Sequence, residues 1–260
     1  MESSILFEKK NGVGIISLNR PTAFNSFNRE MALAFQEQFK SSMNDKDIRC
    51  IVITGSGKAF CAGQDLKEVT SPTENPGFRK ILEEHFNPIV KLIRSSDKPV
   101  IAAVNGVAAG AGANIALSTD FVIAKNSASF IQAFINIGLV PDSGGTKSII
   151  DRVGIAKAKE LMMLGSKLTS SDAAQLGLIY RSVPDEAFES TVTDLAEKLA
   201  KMPTYALGLT KKMIHAASEN TFDQQLDMEK ESQLLAAASE DYEEGVQAFL
   251  EKRKAEFKGK

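Results

Sequence analysis

The chain has 260 residues, 43% hydrophobic and 25% charged, which is enough apolar material for a sizeable core in an ordinary globular protein. Lys and Arg total 31 against 33 Asp and Glu, a net charge of -2, so no long-range field attracts polyanions and no nucleic-acid partner is expected. Two cysteines, Cys50 and Cys61, exclude a disulfide framework and fit a reducing, cytoplasmic location, while the absence of a basic-then-apolar N-terminal segment or a long uncharged apolar run predicts no targeting segment and no membrane association.

In chain order, residues 14–18 read as a strand, residues 28–43 as an amphipathic helix capped by Asn28, and the β-branched run 50–54 as a buried strand. Next comes the small-residue turn Ala59-Phe60-Cys61-Ala62-Gly63-Gln64-Asp65-Leu66, which leaves a strand and opens a helix. Asp65 is its expected N-cap, with Glu68 completing a capping box. Residues 71–77 are polar and rich in Pro and Gly, and are expected to form a mobile surface loop bordering a ligand entrance. Residues 78–94 are helical, 99–104 a strand, 110–117 a small-residue helix opened by a second glycine turn from Asn105 to Ala113, and 121–124 another strand. This alternation predicts an α/β fold whose sheet is covered by helices. Beyond Pro184 the pattern is helical throughout, over 186–201, 205–217, 222–238 and 241–253, with no strand between them. The chain therefore divides into a core over residues 1–200 and a helical region over 201–260. Apolar residues of that region, including Leu226, Leu234, Leu235, Phe249 and Leu250, require a partner surface, either the core or another subunit.

Three segments carry chemistry. Each glycine turn can aim a free backbone N–H at a shared point, and two such donors make an oxyanion hole. In the first turn the run Cys61-Ala62-Gly63 lets a ligand approach the backbone, with the N–H of Gln64 as donor. In the second, tight packing of a small-residue helix accounts for Gly110 and Gly112 equally well. The third segment, residues 138–146, brings Asp142 into an apolar stretch. Asp-Ser-Gly-Gly is good turn-capping chemistry, yet the preceding Ile137-Gly138-Leu139-Val140-Pro141 would desolvate the carboxyl and raise its pKa toward proton-transfer range. His85 and His215 fall on helices away from these turns, so neither is expected to act in catalysis. Gly55-Ser56-Gly57-Lys58 lacks the spacing of a P-loop, Gly110-Ala111-Gly112 lacks the third glycine of a dinucleotide fingerprint, and no nucleophile elbow or zinc-ligand cluster occurs.

Taken together, residues 59–68, 99–120 and 130–146 resemble the crotonase superfamily of enoyl-CoA hydratases and isomerases, and the resemblance runs over about residues 7–260. It implies a crotonase-like ββα spiral with a C-terminal helical trimerisation region, a homotrimer or dimer of trimers, and an acyl-CoA substrate that carries its own CoA, so that no separate cofactor is needed. It also implies oxyanion-hole donors on the N–H groups of Gln64 and Ala111, and an acid/base at Asp142, as in the isomerase branch. Members that hydrate a double bond hold water with two glutamates, and the matching positions here are Asn114 and Phe134, which are neither acids nor bases. The tail segments 220–229 and 241–253 look most like the branch that isomerises ring-1,2-epoxyphenylacetyl-CoA. Further substrate contacts are expected from Ala62, Gly63, Asp65, Leu66, Lys67, Gly110 and Phe134, with Arg20 and a neighbouring subunit's Phe257 toward the CoA; Arg20, Lys67 and Phe257 are equally readable as surface. Phe24, Phe27, Phe78 and Phe134 are the expected acyl-pocket aromatics. The expected activity is a one-carboxylate proton shuttle; the alternatives are a hydratase using Asp142 alone and a non-catalytic acyl-CoA- or RNA-binding relative.

Overall fold

A computed structural model describes residues 3–260; Met1 and Glu2, the start of the segment read for targeting, lie outside them. The chain opens with an antiparallel hairpin, β1 (Ile5–Lys10) and β2 (Val13–Leu18), whose two-residue loop places Asn11 and Gly12 at positive φ. Helix α1 (Arg29–Asn44) starts at Asn28, whose side chain accepts from the Met31 N–H at 3.0 Å, and it buries Met31, Phe35 and Phe39.

A ββα unit then repeats. In its first turn β3 (Cys50–Gly55) and β4 (Ala59–Cys61) lead into α2 (Leu66–Thr70). A loop follows, and then α3 (Phe78–Lys80), a π-helical turn over Ile81–Phe86 and α4 (Asn87–Ser95) in unbroken succession. The second turn is β5 (Val100–Val104), β6 (Val107–Ala109) and α5 (Ala111–Leu117). The third is β7 (Phe121–Lys125), β8 (Ser129–Ile131), a 3-10 turn over Ala133–Ile137, and α6 (Gly145–Leu164), which kinks at Gly154. β9 (Lys167–Thr169), α7 (Ser170–Gln175) and β10 (Arg181–Val183) complete the strands. The first strand of each unit joins a six-stranded sheet, order β1-β2-β3-β5-β7-β10, and the second joins a four-stranded sheet, order β4-β6-β8-β9. This is the ββα spiral that the family resemblance implies. The second sheet was not legible in the sequence, because strands of three residues are too short to show a period of two.

The central strands β3 and β5 of the large sheet are buried on both faces, which is why they read as unbroken apolar runs, while the edge strand β1 is largely exposed. On one side Phe27 meets Phe35 and Phe86 edge-on, with ring centroids 6.1 and 6.0 Å apart, and Phe35 stacks on Phe39 at 5.7 Å. Phe27 is thus a core residue, and the expectation that it lines an acyl pocket is corrected. On the other side, Phe188, Val192 and Ala196 of α8 (Phe188–Ala200) cover Val52, Ile101 and Ile123. α9 (Thr204–Ala217) is tied to the core by the buried Lys211, whose ammonium reaches Asp120 at 2.9 Å and the Ile93 carbonyl at 3.0 Å. α10 (Phe222–Ala237) and α11 (Glu240–Glu251) follow, and Leu226, Leu234, Leu235, Phe249 and Leu250 are exposed on this chain, as their spacing predicted. Among the described residues no helix is long and apolar enough to cross a membrane.

α5 meets β4 of the smaller sheet closely at Gly112, where an added Cβ would lie 2.4 Å from the Cys61 carbonyl oxygen. Backbone cannot yield there as a side chain would. Gly112→Ala is therefore expected to lower stability by about 1–3 kcal/mol, read as a shift in the urea unfolding midpoint.

Candidate active site

β4 delivers the chain to a turn in which Gly63 adopts φ 90°, conformational space that favours glycine. The turn is held by Phe27, whose N–H donates to the Gly63 carbonyl at 2.7 Å and whose carbonyl accepts from the Asp65 N–H at 2.8 Å. These two bonds occupy the groups on either side of Gln64. The Gln64 N–H itself has no acceptor among the described residues. Asp65 caps α2 through the Lys67 N–H at 2.9 Å, but the expected capping box does not form. Because the Asp65 N–H is already bonded to Phe27, the buried Glu68 accepts instead from the Arg29 N–H at 2.7 Å and from Gln64 Nε2 at 2.8 Å.

The second turn lies directly against the first. A Cβ on Gly63 would stand 3.0 Å from the Ala109 carbonyl oxygen and 3.4 Å from the Ala111 nitrogen. Gly110, at φ 52°, swings the chain into α5, and its own N–H donates to the Ile131 carbonyl at 2.9 Å. Ala111 is the first residue of α5, so its N–H has no intrahelical acceptor. Two adjoining turns thus present two unpaired amide donors, Gln64 and Ala111.

One helical turn beyond Ala111, the fully buried Asn114 donates from Nδ2 to the Asp142 carbonyl at 3.0 Å, and this bond brings the third segment to the other two. The Gly145 N–H donates to the same carbonyl at 2.9 Å. Between them Ser143 sits at φ 51°, a left-handed conformation that costs a non-glycine residue about 1–3 kcal/mol. Ser143 Oγ donates to Asp142 Oδ1 at 2.7 Å. Burial pushes the Asp142 carboxyl above its usual range, and the Ser143 hydroxyl opposes that shift by stabilising the charged form. Asp142 faces a cavity of about 370 Å³ walled by Phe78, Leu82, Leu139, Val140 and Pro141, and it is the one titratable group in the lining. The loop 71–77 is mostly exposed and leads into Phe78 at the cavity wall.

A model of the enoyl-CoA hydratase/isomerase family matches residues 8–260 of this chain. The chain belongs to that family. It is 46% identical over 264 residues to the 1,2-epoxyphenylacetyl-CoA isomerase of Escherichia coli K12, covering 100% of both chains. It is 42% identical over 257 residues to a Rhodobacter capsulatus protein named "Probable enoyl-CoA hydratase", covering 99% of this chain and 98% of the relative. Its fold superposes with a TM-score of 0.91 on the crystal structure of an enoyl-CoA hydratase subunit I from Geobacillus kaustophilus HTA426, at 35% identity, covering 99% of this chain and 98% of that one.

Within this enoyl-CoA hydratase/isomerase family member the remaining expected contacts divide. Ala62, Leu66 and Lys67 are exposed on the first turn and α2, and Phe134 packs 3.6 Å from the position of a Cβ on Gly110. Arg20 and Asp65 pair with each other at 2.7 Å, and the Arg20 guanidinium also donates to the Ser26 carbonyl, so both brace the turn. Phe257 packs on its own chain near Gly245, with its carbonyl accepting from Arg49. Phe24 is exposed and accepts the Ala62 N–H through its carbonyl at 3.0 Å. His85 is corrected, since it stands close behind the first turn, with the Arg29 guanidinium at 3.3 Å from its Nε2 and Glu68 as a nearby charge. Burial pushes the Cys61 thiol up to about 12, which removes it as a nucleophile near neutral pH. Sequence reasoning missed Gln132 and the orienting role of Asn114; no motif marks them, and only the folded contacts reveal them. For a reaction that uses the Asp142 carboxylate as its base, the raised carboxyl predicts an acid limb of kcat/KM above pH 3.8. Ser143→Ala, which removes the bond that favours the charged form, is expected to move that limb further up in a pH–rate profile.

Proposed function

We propose that this enzyme isomerises an acyl-CoA thioester by moving one proton through an enolate. The observation that carries this reading is the solitary acid: Asp142 lines an otherwise apolar and polar-neutral cavity, beside two turns with unpaired N–H groups. In this reading the Gln64 and Ala111 amides form an oxyanion hole for the thioester oxygen, each worth roughly 3 kcal/mol as negative charge develops. Asp142 takes the proton from the α-carbon, leaving an enolate. When the acyl group carries a β,γ double bond, the dienolate accepts the same proton at the γ-carbon and the double bond moves into conjugation. When it carries a ring 1,2-epoxide, the ring rearranges to an oxepin. The 46% identity to an epoxyphenylacetyl-CoA isomerase supports the ring epoxide as substrate. No cofactor enters either reaction, because CoA is part of the substrate.

A hydratase reading draws support from the 42% identical relative. Adding water requires a group to hold and deprotonate it, and the two positions matched to hydratase glutamates hold Asn114, whose amide is already bonded, and the aromatic Phe134. Isomerisation needs only the one carboxylate that is present. The non-catalytic RNA-binding alternative meets a net charge of -2. The exposed apolar residues of α10 and α11 support a homotrimer or dimer of trimers, and the charge balance and free cysteines fit a cytoplasmic location.

Asp142→Asn is expected to lower kcat on 3-enoyl-CoA by on the order of 10²–10⁴-fold, followed as conjugated-enoyl absorbance. A variant that keeps wild-type turnover rejects the proton shuttle. In a substrate panel, turnover of the ring epoxide or of 3-enoyl-CoA should exceed hydration of 2-enoyl-CoA, and faster hydration would favour the hydratase reading.

A further inference from the structure

We infer that Asn114 is a positioning residue for Asp142, acting through the Asp142 main-chain carbonyl with Gln132 as its anchor, an assignment that rests on the isomerase reading above. Asn114 is completely buried, and so nearly is Gln132. Gln132 Nε2 donates to Asn114 Oδ1 at 2.9 Å, and Asn114 Nδ2 donates to the Asp142 carbonyl at 3.0 Å. A carbonyl can only accept, so the Asn114 amide nitrogen must face Asp142, its oxygen must face Gln132, and the direction of the relay is fixed by chemistry.

The relay grips a turn that would otherwise relax. Ser143 and Gly144 are both left-handed, at φ 51° and 70°, and the turn between Asp142 and Gly145 is closed by the Gly145 N–H on the same carbonyl that Asn114 holds. Asn114 also fills the space where a Gly145 Cβ would lie, 2.2 Å from Nδ2, so α6 begins pressed against this amide. Asn114 belongs to α5, whose first N–H is that of Ala111. One short helix therefore carries both a proposed oxyanion donor and the clamp on the acid, which fixes the carboxyl in relation to the carbon next to the bound carbonyl. A residue that merely filled space would set none of this.

The test uses Asn114→Asp, which keeps the shape but replaces the donor with a carboxylate, and Gln132→Glu, which keeps the anchor's shape but gives up its donor. Both variants are measured on 3-enoyl-CoA beside wild type and Asp142→Asn, with unfolding midpoints recorded. Asn114→Asp is expected to lower kcat about 10- to 100-fold with KM changed less than about threefold, because misplacement of a reacting group by about 1 Å costs on that order. Its acid limb should rise by about one pH unit, as a like charge beside Asp142 disfavours ionisation. Gln132→Glu should lower kcat in the same direction without the full shift of the limb, and the two changes combined should fall short of the product of their separate effects. Wild-type kcat and an unmoved limb in a folded Asn114→Asp would overturn the assignment while leaving the proton shuttle intact, provided Asp142→Asn is inactive. If Asp142→Asn remains active, the shuttle fails and the positioning role fails with it.

Discussion

The structure depends on the close approach of two backbones, the β4 turn and the start of α5. Gly112 lies against Cys61 and Gly63 lies against Ala109 and Ala111, with no room for a β-carbon at the first contact and little at the second. This approach places the Gln64 and Ala111 amides side by side. Each is unpaired for a local reason: Gln64 because Phe27 takes the groups flanking it, Ala111 because the first turn of a helix has no acceptors for its donors. An unsatisfied N–H is costly in an apolar interior, and such a group is tolerable only where water or a ligand oxygen can reach.

Everything else at the site is arranged around that contact. Arg20, Asp65, Glu68 and Arg29 brace the first turn through their hydrogen bonds, so charge is used there for geometry. Asp142 lines the cavity, where nothing cationic compensates its burial and the Ser143 hydroxyl, with a backbone hydrogen bond, tempers the rise of its pKa. Paired, such a carboxylate would be a weak base; alone and partly dry, it suits reversible proton transfer at carbon.

The ββα repeat explains why three segments so distant in sequence meet. Each unit sends its first strand to one sheet and its second to the other, and the helix or turn that follows emerges at the same edge. The parallel pairing of β3, β5 and β7 in the six-stranded sheet sets the spacing between units, and the short strands carry it to the glycine turns. The cavity beside Asp142 is walled by Phe78, Leu82 and Val140, which belong to segments outside the sheets.

By itself the sequence determined β2, β3, β5 and β7, the helices α1 and α5 and the helical stretch ending in α4, the glycine turns, the isolated Asp142 and the helical region after Pro184, because each is a local matter of period, capping or residue size, whereas β1 and the 20-residue α6 went unread. A six-residue β-branched run such as β3 or a 16-residue amphipathic one such as α1 announces itself; three-residue strands such as β4 and β8 do not, since their existence depends on neighbours that only folding supplies. Only the tertiary structure decided that Arg20 and Asp65 turn inward to each other, that Phe27 packs in the core, that Phe257 rests on its own chain, and that Gln132 and Asn114 hold the acid. Those outcomes turn on which of several polar or aromatic partners comes within about 3 Å for a hydrogen bond or about 6 Å for a ring contact. Partners separated by 18 to 45 positions are brought to such distances by the spiral, and no local pattern in the chain encodes the pairing.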